Sequence, residues 1–292
     1  MRIDLHTHSL ASDGTQTPSE LAEAGSRAGL DVMALTDHDT AAGWAEATAA
    51  AESAGIALVR GMEISTRHEG RGVHLLAYLP DPTYPPLVEH LDLILESRSG
   101  RVPAIIERLR AAGIDVTEDD VRREAGASAA AGRPHIADAL VRRGVVVDRG
   151  EAFDRFLKPG RAGHVHRYAA ELVTMIETVR LAGGVTVMAH PWGRSDPGSL
   201  GEAAFAGLAE DGLAGIEVDH RDHTDEQRDE LRSIAANLDL VVTGSSDHHG
   251  TGKTDHDLGC FTTAPDQYAR LMELAAGSAA VAGRATPPVV GG

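Results

Sequence analysis

Short apolar runs of strand length alternate along this chain with longer stretches whose apolar positions recur at helical spacing. An opening run over residues 2–5 is followed by runs at 30–36, 56–59, 72–79, 185–189, 215–218 and 240–243. The segments between them predict helices near 17–29, 41–54, 169–182, 202–211 and 225–236. Thr17 reads as an N-cap with Pro18 in the first turn, and Gly55 as the stop of the second helix. Strand followed by helix, repeated, argues for a parallel sheet, and seven such strands predict an α/β fold, a distorted seven-stranded TIM-like barrel.

The alternation breaks at Pro80-Asp81-Pro82, and residues 87–167 are helical and charged without a convincing buried strand. That segment predicts an inserted helical cap over the mouth of the barrel. The expected organisation is therefore a discontinuous barrel, 1–86 and 168–285, an inserted cap, 87–167, and a loose Pro- and Gly-rich tail, 286–292.

Composition narrows the class. Aromatic residues are only 3% of the chain, so the core must be built from Ala, Val, Leu and Ile. A net charge of -17 argues against a long nucleic-acid groove, because phosphate backbones are held mainly by Lys and Arg. The lone Cys260 excludes an internal disulfide and fits a reducing compartment. With no signal-peptide pattern and no apolar run of membrane-spanning length, the expected location is the cytoplasm.

The 15 histidines are the abnormal count. His6 and His8 alternate with Leu5 and Thr7, so in an extended segment both imidazoles point the same way, and Asp13 follows closely. His38, Glu63, His190, Asp247 and His249 also fall at or just past strand ends. In a parallel βα barrel those ends meet at one face, where such a set can hold metal ions. Isolated His-x-His pairs are more often surface or core residues, but scattered structural histidines would not all fall at one end of the strands.

The motifs His6-Thr7-His8, Asp13, Thr36-Asp37-His38-Asp39, Gly61-Met62-Glu63-Ile64-Ser65, His74, Ala189-His190-Pro191 and Ser246-Asp247-His248-His249 resemble the polymerase and histidinol phosphatase (PHP) superfamily. Gly132 to Ala137 and Glu217-Val218-Asp219-His220 look most like its branch of 3',5'-nucleotide bisphosphate phosphatases, some of which also trim RNA from the 5' end. The resemblance implies two to three divalent ions. His6, His8, Glu63 and Asp247 would hold the first; Glu63, His74 and His190 the second, with Glu63 bridging; Asp13, His38 and His249 the third. Mixed nitrogen and oxygen donors suit Mn, Fe or Zn, with Mg an option at Asp13. A carboxylate can span two cations, which a neutral imidazole cannot.

The remaining polar positions divide. His68, His90, His164, His166, His248 and His256 read as solvated or loop residues. His220 and His223, past a strand end, are candidates to assist catalysis or contact substrate. Gly132-Arg133-Pro134 reads as a helix start, so Arg133 and His135 are candidate phosphate contacts, with Lys158 a weaker one. Gly250 to Thr254 ends like a P-loop but lacks its first glycine, and Cys260 has no partner base.

The expected activity is hydrolysis of a phosphate monoester by metal-activated hydroxide, on the 3'-phosphate of a 3',5'-bisphosphate nucleotide, with 5'-3' trimming of short RNA as a related reaction. The expected partners are a small phosphorylated nucleotide or a short RNA 5' end. Histidinol phosphatase or another small phosphomonoesterase is the alternative, and a noncatalytic binding module the remote one.

Overall fold

A computed structural model describes residues 1–126, 128–166, 168–193 and 200–290. Arg167, where the expected insertion ends, and Gly291 and Gly292 of the tail lie outside the described residues. Strands β1 (Ile3–Asp4), β2 (Val32–Leu35), β3 (Ala57–His68) and β4 (Arg71–Tyr78) precede the insertion. After it come β5 (Ala170–Glu171), β6 (Val185–Ala189), β7 (Gly215–Asp219) and β8 (Val241–Gly244). The spatial order is β1-β2-β3-β4-β6-β7-β8, with the short β5 paired beside β3. Seven strands thus form a sheet nearly closed into a barrel, and a parallel bridge, Thr7 to His248, links its two ends.

The sheet is mixed rather than parallel, which corrects the expectation from the βα repeat: β4 runs antiparallel to both β3 and β6. Its connection from β3 is only Glu69 and Gly70, both at positive φ, a two-residue hairpin turn too short for a crossover helix. The third strand also runs on to His68, so Glu63 sits within β3 rather than after it. Reversal of β4 brings its N-terminal half, with His74, to the rim where the parallel strands end.

Helices α1 (Pro18–Arg27), α2 (Trp44–Ala54) and α3 (Pro85–Gly100) cover the first half. Thr17 caps α1 with a reciprocal bond pair, accepting from Glu20 N while Thr17 N donates to the Glu20 carboxylate. Then come α4 (Val102–Ala111), α5 (Glu118–Ala125), α6 (Arg133–Arg142) and α7 (Arg149–Ala152), the last running into a π-turn at Phe153–Leu157. Leu87, Leu91 and Ile94 of α3 pack into the main apolar core, whereas residues from Val102 to Leu157 form a separate core around Ile105, Leu109, Ile136 and Leu140. The helices α8 (Leu172–Leu181), α9 (Glu202–Glu210), α10 (Asp225–Asn237) and α11 (Pro265–Val281) complete the barrel.

Inside the barrel, Ile3, Leu5, Val32, Ala34, Val59, Leu76, Val187 and Val241 interlock, and Tyr78 donates to Leu5 O at 2.9 Å. This aliphatic plug below the rim follows from the scarcity of aromatics. The tail, expected to be loose, is fastened at Val290, whose carbonyl accepts from Leu58 N at 2.8 Å. No helix among the described residues is long and apolar enough to cross a membrane.

Candidate metal centre

The two strand-end imidazoles converge as their alternation requires. Thr7 is fastened on the opposite face, its N–H donating to Thr36 Oγ1 at 3.1 Å and its hydroxyl to Ala34 O at 2.6 Å. That anchorage leaves His6 and His8 on one side with Nε2 atoms 3.0 Å apart, both fully buried. Glu63 divides its two oxygens among five rings. Oε2 lies 3.3 Å from His6 Nε2, 3.2 Å from His8 Nε2 and 3.1 Å from His38 Nδ1. Oε1 lies 2.6 Å from His74 Nδ1 and 3.0 Å from His190 Nε2. Asp247 turns Oδ1 toward His6 and His8 at 3.5 and 3.4 Å. Asp13 lies 3.3 Å from His249 Nε2 and 3.7 Å from His38 Nε2. The structure therefore brings His6, His8, Asp13, His38, Glu63, His74, His190, Asp247 and His249 into one connected cluster.

Two features test whether this donor set fits divalent cations. The first is His8, whose Nδ1 is buried without a hydrogen-bond partner while its Nε2 faces another imidazole and two carboxylates. Such an arrangement is costly for a structural core and natural for ligands converging on a cation. The second is charge. Burial opposes ionisation of Glu63, yet His38, His74 and His6 hold its pKa well below the usual carboxylate range. Asp13 and Asp247 are likewise depressed against their burial, Asp13 by His38 and His249, Asp247 by Lys253 and His6. Three fully or nearly fully buried carboxylates facing one set of imidazoles need positive charge beside them, which divalent cations supply. The residues fit.

Behind the cluster, a layer of groups orients the donors. Glu217 accepts from His6 Nδ1 at 3.0 Å and from His190 N at 2.8 Å, which leaves the His6 Nε2 lone pair facing inward. His38 and His249 direct Nδ1 to backbone carbonyls, Glu63 O at 3.3 Å and Asp247 O at 2.9 Å, so that each turns Nε2 to Asp13. Asp37 accepts from Ser9 N, Ser9 Oγ and Ser12 Oγ and so folds the Asp13 turn. Asp39 accepts from Ser65 N at 2.6 Å and pairs with Arg98 of α3. Asp4 receives Ser246 N at 3.0 Å and Gly259 N at 2.9 Å. Asp39, His190 and Asp247 all hold positive φ, a strained conformation that clusters at functional sites. Gly14 is required, because a Cβ there would lie 2.3 Å from His8 O.

Sequence reasoning missed this layer. Asp4, Asp37, Asp39 and Glu217 are fully buried acids in apolar stretches, a signal that was present in the sequence, but their partners are distant along it. Lys253 was also missed: its ammonium contacts Asp247 Oδ2, the oxygen turned away from His6 and His8.

The other expected residues are placed as follows. His220 accepts from Asp222 N at Nδ1, so its Nε2 donates to Asp247 Oδ2 at 3.2 Å. His223 donates to Val218 O at 2.9 Å and accepts from Trp192 N. Both are buried. His256, expected to be solvated, is instead buried, its Nδ1 2.7 Å from Ser246 O, because the loop after β8 folds back over Ser246. Burial, with Lys253 nearby, lowers its pKa to about 4. His248 lies half-buried, its ring nitrogens near His256 O and Gln16. His68, His90 and His164 are half-buried, and His166 is exposed.

In the cap, Arg133 donates to Leu157 O at 3.2 Å and lies over the Phe153 ring. His135 is buried, accepting from Gly132 N at Nδ1 and donating from Nε2 to Ser12 O at 3.1 Å. Lys158 is exposed, in an ion pair with Asp154.

Comparison with known proteins agrees with this geometry. Residues 4–115 match the PHP domain. A 5'-3' exoribonuclease of Haemophilus influenzae is 37% identical over 85% of this chain and 90% of its own. A 3',5'-nucleoside bisphosphate phosphatase of Chromobacterium violaceum is 36% identical over 88% of this chain and 90% of its own. A solved Bifidobacterium adolescentis protein described as a metal-dependent phosphoesterase superposes with a TM-score of 0.87 at 38% identity, covering 93% of this chain and 96% of that one. A mixed near-barrel, a rim of imidazoles and carboxylates suited to divalent cations, and these relatives lead to one conclusion: the chain belongs to the PHP family of metal-dependent phosphoesterases.

Proposed function

We propose that the protein removes the 3'-phosphate of a small 3',5'-bisphosphate nucleotide, using two to three divalent ions of Mn, Fe or Zn. The observation that supports a metal-dependent reaction is Glu63, whose two oxygens face separate imidazole sets and so could be shared between two cations, while the bisphosphate substrate is supported by a relative. His6, His8, Glu63 and Asp247 would hold the first ion, Glu63, His74 and His190 the second, and Asp13, His38 and His249 the third, where Mg would also be acceptable. Bound there, the ions supply charge for the phosphate oxygens and a nucleophile from water at neutral pH. The chain's own residues set the geometry: Glu217 fixes the His6 and His190 positions, and Asp37 fixes the Asp13 turn.

The Chromobacterium violaceum relative supports a bisphosphate substrate, and Arg133 at the start of α6 supplies the cap's cation for the second phosphate. The Haemophilus influenzae relative supports a second reading, trimming of short RNA from its 5' end. A net charge of -17 favours a substrate of which only the terminal nucleotides enter. The single thiol, Cys260, is free and supports a cytoplasmic location.

Phosphate release should be measured with added Mn²⁺ on adenosine 3',5'-bisphosphate and histidinol phosphate, and mononucleotide release on a 5'-phosphorylated oligoribonucleotide. Preferred turnover of the bisphosphate, lost on chelation and weakened more by Arg133→Ala than turnover of a simple ester, is the expected result. Equal losses on both substrates would remove the nucleotide assignment.

A further inference from the structure

The separate core of the cap meets the cation cluster at the turn that carries Asp13. Hydrogen bonds from distinct cap segments converge on three consecutive carbonyls of that turn. Ala129 N donates to Ala11 O at 3.0 Å, Ser128 Oγ to Ser12 O at 2.6 Å, His135 Nε2 to Ser12 O at 3.1 Å, and Arg149 Nη1 to Asp13 O at 2.9 Å. The Arg149 guanidinium is itself aimed by a two-pronged pairing with Asp138 of α6 at 2.6 and 2.7 Å. It is backed by Gly252, where a Cβ would come within 2.3 Å of Nη1. One side chain, only 13% exposed, thus touches the cap, the Asp13 turn and the turn Gly250–Gly252 that follows His249.

The three proposed cation positions differ in this respect. His6, Glu63, His190 and Asp247 are oriented by barrel residues, chiefly Glu217, Thr36 and Asp4. His38 and His249 are oriented by barrel carbonyls. Asp13 alone stands on a turn whose inner side is tied to the barrel by Asp37 and whose outer carbonyls are tied to the cap. A carboxylate on a short loop holds a cation only as well as the loop is held.

We propose that the cap is the positioning element for Asp13, with Arg149 its main strut, so that filling of the third cation position depends on cap docking while the other two positions do not. Arg149 is a positioning residue, acting through Asp13. The inference rests on the ligand assignment proposed above.

Stepwise Mn²⁺ binding to the metal-free protein, followed by equilibrium dialysis with metal analysis, tests it without any assay of turnover. Two variants perturb the strut, Arg149→Met by removing its hydrogen bonds and Gly252→Ala by pushing the guanidinium aside, and a third, Ser128→Ala, deletes a separate bond from the cap to Ser12 O. The expected result is a third binding step weakened by about 10-fold or more in Arg149→Met and Gly252→Ala. Ser128→Ala should weaken it less, and in every variant the first two steps should be retained. A third step unchanged in all variants overturns the inference, and so does a parallel weakening of every step, the mark of general loosening. Should Arg149→Met fail to fold, the other two variants decide by the same criterion. A wild-type protein that takes up no ions overturns the ligand assignment and this inference together, and one that takes up only two overturns this inference alone. Three ions bound by wild type and variants alike overturn this inference alone.

Discussion

Replacing Glu217 by Gln is an isosteric change that should cripple cation binding. The wild-type carboxylate only accepts: Oε1 from His6 Nδ1 at 3.0 Å and from the Ser245 hydroxyl, Oε2 from His190 N at 2.8 Å. An amide offers one oxygen and one NH₂. If the oxygen stays on His190 N, the NH₂ faces His6 Nδ1, which must then give up its proton to Nε2 and lose the inward lone pair. If the amide is reversed, two N–H groups confront each other in a site with no exposure to water. A buried donor left without a partner costs roughly 1–3 kcal/mol. Loss of a group that orients a metal ligand weakens binding about 10–100-fold, or about 1.4–2.8 kcal/mol. The two routes agree in size, so Glu217→Gln should lower Mn²⁺ affinity by about 10–100-fold. A chelator competition titration of the metal-free protein checks it, with circular dichroism to confirm the fold. Binding within about twofold of wild type in a correctly folded variant would refute the tautomer argument.

Other outcomes follow from the same geometry. Burial lowers the proton affinity of His8, but hydrogen bonds to Asp247 and Glu63 outweigh it and raise the pKa from 6.5 to about 9 in the metal-free protein. Cations must displace that proton, and the His6 ring, whose proton affinity is also raised, against its burial, by Glu217, Asp247 and Glu63, must lose one as well. Metal affinity should therefore climb by about tenfold or more per pH unit between about 7 and 9, and a titration flat over that range would contradict it. The His8 shift adds stability to the metal-free protein below the unfolded value of 6.5. That contribution, roughly 3 kcal/mol, is lost as pH rises through about 9, which denaturant titrations across the window will detect. Arg98→Met strands the fully buried Asp39 carboxylate and should cost about 3–5 kcal/mol by chemical denaturation, most of it recovered when Asp39→Asn is added. Gly14→Ala forces the Asp13 turn off His8 O and should abolish phosphate release while leaving the barrel folded, and retained activity would show that the turn can relax.

Strand-length apolar runs, the caps at Thr17 and Gly55 and the same-side placement of His6 and His8 were legible because each is a property of neighbouring residues, set by backbone periodicity and local hydrogen bonding. Periodicity reports which face of an element is apolar and is silent on the direction in which a strand pairs. The reversal of β4 was decided by a two-residue turn and by register against β6, and that reversal carries His74 to the rim. The roles of Asp4, Asp37, Asp39 and Glu217 were decided by partners brought together only in the folded barrel: Ser246 and Gly259, Ser9 and Ser12, Arg98, and His6 with His190. His256 became a core residue because the loop after β8 turned back over Ser246. The amino-acid order determined which donors exist and on which side of each strand they stand. Which of them meet, in which tautomer and with which carboxylate at their backs, depends on contacts between segments far apart in the chain, and only the tertiary structure settled that.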